Sequence, residues 1–304
     1  MRLFTKKKKD GWFALSANAE GTSVAHIRAV GHGKPRVSLC EFRPGRLDDT
    51  GLKALSQKYG LKNRRCTFLL QPTEYQLIQV DAPDVPEGEA RQAVRWVIKD
   101  RIDFPVDEAT LDILNIPSSR FTYVAVARND LIRGYMERCL ERCGVALEVI
   151  DIAEAAQRNI AALLEEDGHG LAVLSFNQSG GLLTFTLGGE LYYSRQIDIT
   201  SLQLQTDDKE QLSRLFDRLA LEVQRSLDNF ERQFPKIGLN RLMLAPCAGR
   251  TAMRDFLLSY LGVKVDTFDL TDVLDMEGLA SLDTLDAQAQ VLGVLGAALR
   301  EGAA

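Results

Sequence analysis

A run of three short apolar strands joined by tight turns occurs twice in this chain, and a repeated meander commits a chain to one fold built twice. In the first copy, Gly11-Trp12-Phe13-Ala14-Leu15-Ser16 runs into Ala17-Asn18-Ala19-Glu20-Gly21. Residues 22–30, the turn Gly31-His32-Gly33 and Arg36-Val37-Ser38-Leu39-Cys40-Glu41-Phe42 follow. In the second, Leu171-Ala172-Val173-Leu174-Ser175-Phe176 runs into Asn177-Gln178-Ser179-Gly180-Gly181. Residues 182–187, the turn Gly188-Gly189 and Glu190-Leu191-Tyr192-Tyr193-Ser194-Arg195-Gln196-Ile197 complete it. Gly, Asn and Ser are the residues that such turns demand. Folds duplicated in this way usually work at the cleft between their halves.

Helical and strand periodicities fill in the rest. The first copy continues with a helix over 48–59 ended by Gly60, strands over 66–71 and 74–80, and a Pro-punctuated loop over 81–86. The spacing then predicts a helix over 87–102, with Ala90, Ala93, Val94, Val97, Ile98 and Ile102 on one stripe. Strands over 111–116 and 121–127, a helix capped by Asp130 that runs to Cys143, a strand over 147–151 and a helix over 153–166 follow. The second copy continues with a long helix over 209–234, a strand over 241–244, the turn Ala245-Pro246-Cys247-Ala248-Gly249, a helix over 250–261, a strand over 263–268 and a last helix over 286–300. Mixed sheets covered by helices follow from this alternation. The reading is domain I over 1–152 with a subdomain inserted at about 81–144, and domain II over 153–304, whose last helix can cross back onto domain I.

At 304 residues the chain is long enough for two cores. Its 45% hydrophobic and 26% charged residues are those of a soluble globular protein, and a net charge of −5 makes no whole-chain case for nucleic acid. No apolar run approaches the ~20 residues of a membrane-spanning helix, and no signal peptide precedes the first strand. Five cysteines without paired spacing fit a reducing compartment, so the expected location is the cytoplasm. Cys139 and Cys143 read as small core residues rather than ligands, and His26, His32 and His169 adjoin no nucleophile motif.

Several segments resemble the PilM family of type IV pilus assembly proteins, most of all its MSHA-pilus branch. They are Val149-Ile150-Asp151-Ile152-Ala153-Glu154-Ala155, Leu191 to Ile197, Ile102-Asp103-Phe104-Pro105-Val106-Asp107-Glu108, and Val291 to Arg300. The sharpest is Leu221-Glu222-Val223-Gln224-Arg225-Ser226-Leu227-Asp228-Asn229-Phe230. The resemblance covers nearly the whole chain. It implies an α/β, actin-like fold (ASKHA, duplicated ribonuclease-H-like) of two domains, with a subdomain inserted in the first. The cytoplasmic part of type II secretion L proteins shares that fold, but no membrane segment follows Leu299 here.

ATP-binding relatives hold the phosphates between the two meander turns and Mg²⁺ through a carboxylate on each first strand. Here Phe13-Ala14-Leu15-Ser16 and Leu174-Ser175-Phe176-Asn177 stand at those places; Asp10 and Glu20 lie several residues away. Pro246 removes a backbone donor from the turn expected to meet adenosine. Ser16, Asn18, Ser175, Asn177, Ser179, Gly180, Gly181 and Gly249 remain as candidates for a degenerate nucleotide cleft, and read equally as ordinary turn residues. The expectation is a scaffold with no cofactor, no metal and no catalytic residue; the alternative is an ATP- and Mg-binding ATPase or a sugar-kinase-like enzyme.

The resemblance also implies that the protein grips the cytoplasmic N-terminal peptide of a bitopic, PilN-like inner-membrane partner near the insertion, with the pilus motor ATPase as a further partner. Trp96, Lys99, Phe104 and Pro105 are the candidate contacts, Trp96 being either an exposed anchor or a cover for the core edge. Lys6-Lys7-Lys8-Lys9, preceded by Leu3-Phe4, could lean on anionic lipid and make the protein peripheral to the inner membrane, or could be a solvated tail. Lys62-Asn63-Arg64-Arg65 reads as loop surface.

Overall fold

The computed structural model describes residues 11–18, 20–28, 33–45 and 47–300. The lysine run at 6–9 and His32 lie outside the described residues. Strands β1 (Trp12–Ala17), β2 (Gly21–Arg28) and β3 (Arg36–Pro44) form the first meander, and α1 (Asp49–Tyr59) leads to β4 (Arg65–Leu69). A small sheet with its helix follows: β5 (Tyr75–Asp81), α2 (Glu87–Ile98), β6 (Ala109–Asn115) and β7 (Phe121–Arg128). Helix α3 (Asn129–Met136) brings the chain to β8 (Leu147–Asp151), and α4 (Ala153–Ala161) leads on. The second meander is β9 (Gly170–Asn177), β10 (Gly180–Leu187) and β11 (Glu190–Ile197). After it come α5 (Lys209–Gln233), β12 (Leu239–Leu244), α6 (Arg250–Tyr260), β13 (Lys264–Thr267), α7 (Leu270–Val273) and α8 (Leu285–Ala298).

The duplication is complete at the level of topology. One five-stranded sheet has the order β3-β2-β1-β4-β8 and the other β11-β10-β9-β12-β13, so each is a meander extended by two crossover strands. β4 runs parallel to β1 and β8, and β12 parallel to β9 and β13. The central strand β9 is buried on both faces, with Leu171, Ala172, Val173 and Leu174 all sealed from solvent, as parallel neighbours under helices require. Two compact units divide the chain: one runs to Thr22 and resumes over Arg43–Ala153, and the other takes Ser23–Phe42 and continues from Glu154.

Local chemistry explains most boundaries. Asp48 caps α1 by accepting from Gly51 N–H at 2.7 Å, and Gly60 ends the helix in the left-handed region. Asp208 caps α5 through Glu210 and Gln211 N–H. The predicted stripe of that helix buries Phe216, Leu219, Val223, Leu227 and Phe230, and Phe230 stacks on Phe185 with ring centroids 4.8 Å apart. Gly188 and Gly189 both have positive φ, 61° and 74°, which a two-residue turn matched to strand twist needs.

Four expectations are corrected. Helix α2 stops at Ile98; Arg101 N–H closes a turn onto Ile98, and Ile102 joins the core from outside the helix. Val97 is 49% exposed, because the sheet beneath α2 is three strands wide and covers only the Val94–Ile98 line. Arg128, not Asp130, takes the N-cap position of α3, which continues as a π-helical turn over Glu137–Arg142 where Arg138 binds Asp49 at 2.7 Å and the Leu47 carbonyl. Helix α4 ends at Ala161 rather than 166: Glu165, Glu166 and Asp167 oppose the negative end of a helix dipole, and Arg241 holds the Leu164 carbonyl at 2.9 Å. Helix α8 packs on β9, with Gly296 against α4 at Ala156.

Candidate functional site

The loops at the carboxyl ends of parallel strands are where open α/β sheets usually place a ligand. In the first sheet Ser16 stands near the end of β1 and Asn18 in the turn that follows it. Ser16 Oγ accepts from Gln71 Nε2 at 3.1 Å. Asn18 Oδ1 accepts from the N–H groups of Glu20 and Gly21, at 3.0 and 2.9 Å, and its own N–H donates to the Gly21 carbonyl. The amide oxygen is thereby committed to its own hairpin. Asp151, buried at the end of β8, accepts from Ile152 N–H at 3.0 Å.

In the second sheet Asn177 Oδ1 accepts from Ser179 N–H at 2.7 Å, and the Ser175 hydroxyl donates to Gln157 Oε1 at 2.5 Å. Gly180 has φ 139°, and a Cβ at Gly181 would stand 2.8 Å from the Phe176 ring, so packing and backbone geometry both require these glycines. The turn bearing Gly249 lies at the same end of that sheet, tied by Ala245 N–H to the Leu174 carbonyl at 2.9 Å. Gly249 takes the N-cap position of α6 with φ 67°, and Arg250 beside it binds the Phe268 carbonyl and Asp269 at 2.6 and 2.7 Å. Neither β1 nor β9 contains an Asp or Glu. Among the described residues no group of three or more His, Cys, Asp or Glu is placed to hold a metal ion. All five cysteines are buried thiols outside any disulfide; burial pushes the Cys40 thiol to about 12 and the Cys139 and Cys247 thiols to about 11.

The first unit has a different kind of site. The small sheet, ordered β5-β7-β6, packs one face on α2 through Ile78, Val80, Val124, Val126 and Leu111. Its register puts Tyr75, Thr110, Ala125 and Ala127 on the opposite face. Those residues, with Leu70, Ile132, Ile150 and Ile152, line a pocket of about 300 Å³ rimmed by the Arg91–Asp112 pair at 2.8 Å. A second pocket of about 480 Å³ shares Tyr75, Val126 and Ala127 with the first, so the two adjoin at β5 and β7. Its walls are more polar: Glu74 accepts from Gln71 N–H and Tyr135 Oη at 2.8 and 2.6 Å, and Asp103 accepts from Gln76 at 2.9 Å. Arg128 lies 5.2 Å over the Phe104 ring and pairs with Glu108 and Asp130.

Of the four candidate contacts, Phe104 lines the second pocket; Trp96, Lys99 and Pro105 line neither. Trp96 is 71% exposed on α2 with Lys99 Nζ 5.7 Å from its ring, which removes the reading of it as a core cover. The lining that sequence reasoning missed consists of Leu70, Ile132, Ile150 and Ile152, strand-end and helix aliphatics that no local signal separates from core. Glu154 and Gln157 are buried polar side chains in the alanine-rich α4.

No known family profile matches the chain, and no curated protein is similar to it in sequence. Solved structures do match. The architecture is the actin-like ATPase fold, shared with a Bacteroides thetaiotaomicron protein of unknown function at TM-score 0.54, 11% identity and 96% and 98% coverage of the two chains. A chain of the PilM–PilN type IV pilus biogenesis complex matches more closely, at TM-score 0.68 and 20% identity over 95% of this chain and 98% of that one. Among the described residues no helix is long and apolar enough to cross a membrane.

Proposed function

We propose that this protein is a non-enzymatic assembly scaffold of a type IV pilus machine of the MSHA type, and that it holds the cytoplasmic N-terminal peptide of a PilN-like inner-membrane protein. The observation that carries this reading is the groove beside the small sheet. Two adjoining pockets make it up, the smaller more apolar and the larger more polar, and an extended chain crossing both could set successive side chains into them. The end-to-end likeness to a chain of the PilM–PilN complex supports the same assignment. Binding such a peptide would keep the protein at the cytoplasmic face of the inner membrane.

A peptide copying the N-terminus of the cognate PilN-like protein is expected to bind the full chain in fluorescence anisotropy. Ile132→Arg, which fills the apolar pocket from α3, is expected to weaken it at least about tenfold, or 1.4 kcal/mol. Trp96→Ala is expected to leave the affinity within about twofold. A peptide that fails to bind, or that binds Ile132→Arg as well as wild type, removes the groove from the function.

The nucleotide loops are, in our reading, retained scaffold. The amide oxygens of Asn18 and Asn177 are spent on their own turns, and the strands before them carry no acid for Mg²⁺. Calorimetric titration with Mg-ATP is expected to show no binding in the micromolar range. A micromolar dissociation constant would restore the reading of an ATP-binding actin-like protein.

A further inference from the structure

We propose that the outer face of α2 is a self-association surface, on which two copies of this chain pair as antiparallel helices. Val94 and Ile98 hold α2 on the small sheet, so the side of the helix that carries Trp96 points away from that sheet. Glu89, Gln92 and Lys99 share this side and are exposed, and Ala93 among them is half-buried. Trp96 is 71% exposed, with Val97 next to it also exposed. An indole of that size left in water is a typical anchor for a protein partner.

The same helix supplies what the indole would fit. Glu89, Gln92, Ala93 and Trp96 stand at i, i+3, i+4 and i+7, the four positions that bound a hole on a helix surface. Ala93 leaves room in that hole for a large side chain from outside. When two copies of α2 lie antiparallel with Trp96 of each opposite Gln92 of the other, each ring enters the other's hole. That register also sets Glu89 of each copy opposite Lys99 of the other, so unlike charges meet twice. Parallel pairing would set Glu89 on Glu89 and Lys99 on Lys99. Asp100 falls opposite Gly88, where a Cβ would have nothing within 4 Å. Knob and hole, acid and base all lie on one twelve-residue helix, and a face that complements itself is what a twofold dimer uses. The helix is about 18 Å long, so the seam is small beside a standard interface. The expected dissociation constant is therefore weak, about 10–100 µM.

Sedimentation velocity of the full chain without any peptide tests the pairing, so the result does not depend on the groove. The wild type is expected to pass from monomer to dimer across that concentration range. Trp96→Glu is expected to weaken the dimer at least about 30-fold. Glu89→Lys and Lys99→Glu each turn two attractions per dimer into repulsions, and each is expected to weaken it about tenfold. An equimolar mixture of these two variants is expected to dimerise as the wild type does, because every contact across the seam again joins opposite charges. The double variant, Glu89→Lys with Lys99→Glu, is expected to recover in the same way. A wild type that stays monomeric throughout, or a Trp96→Glu variant that associates like the wild type, overturns the proposal. So does a mixture that associates no better than either variant alone, which would mean that the helices do not meet antiparallel.

Discussion

Gly296→Val is expected to abolish the native fold. Helix α8 crosses α4 so closely that a Cβ on Gly296 would collide with the Ala156 carbonyl oxygen and stand 2.7 Å from its carbon. Both obstructing atoms are backbone, so no side-chain rotation relieves the clash; the helices must separate. Separation would open a seam where Ala156, Val291, Leu295 and Ala297 are sealed from solvent, and would stretch the bond from Asn159 Nδ2 to the Gly296 carbonyl, 2.9 Å long. Overpacking of side chains costs about 1–3 kcal/mol, and a backbone collision adds to it, so a loss above ~4 kcal/mol is expected. Urea denaturation checks this, with Gly262→Ala as the contrast, because nothing lies within 4 Å of a Cβ there. A Gly296→Ala variant within ~1 kcal/mol of wild type would mean that the helices are not held at this distance.

The second large effect is expected at Gln157, a buried side chain whose amide hydrogen bonds converge on one sheet. Its Nε2 donates toward the carbonyls of Val173 and Leu182 and toward Thr184 Oγ1, at 2.9, 3.1 and 3.0 Å. Its Oε1 accepts the Ser175 hydroxyl at 2.5 Å. The amide therefore spans β9 and β10, where Thr184 faces Val173 and Leu182 faces Ser175. Leucine has a similar volume but takes the amide partner from the Thr184 and Ser175 hydroxyls, at about 1–3 kcal/mol each where water cannot reach. A loss of roughly 3 kcal/mol or more is expected for Gln157→Leu. Ser175→Ala should cost clearly less in the Gln157→Leu background than in wild type, because the two side chains satisfy each other. Additive losses would remove the coupling.

What could be read from the sequence follows the range of the forces involved. The meanders were legible because Asn18, Asn177, Gly188 and Gly189 act within a few residues of their own positions. The stripe on α5 was legible because twenty-five residues repeat it. Val97 misled because helical spacing cannot report how wide a sheet lies underneath. The groove was illegible for a stronger reason. Ile150 and Ile152 are ordinary aliphatics until the small sheet stands opposite them, and nothing near them in the chain records that placement. Gly296 was equally silent: among Gly293, Ala297 and Ala298 it looks like one more small residue, and only the crossing with α4 makes it irreplaceable.

The two repeats differ most at one junction. After β12 the chain needs only residues 245–249 to reach α6, whereas after β4 it spends residues 70–128 before α3. The molecule thus carries its own uninterrupted counterpart. The second copy shows what the first would be had a single turn never been lengthened, and both copies keep the same strand order. The longer connection leaves the strand order of its sheet unchanged, and the additional piece brings its own core beneath α2. A change within that piece can therefore be absorbed by its own core, leaving the strand pairing of the five-stranded sheet as it is.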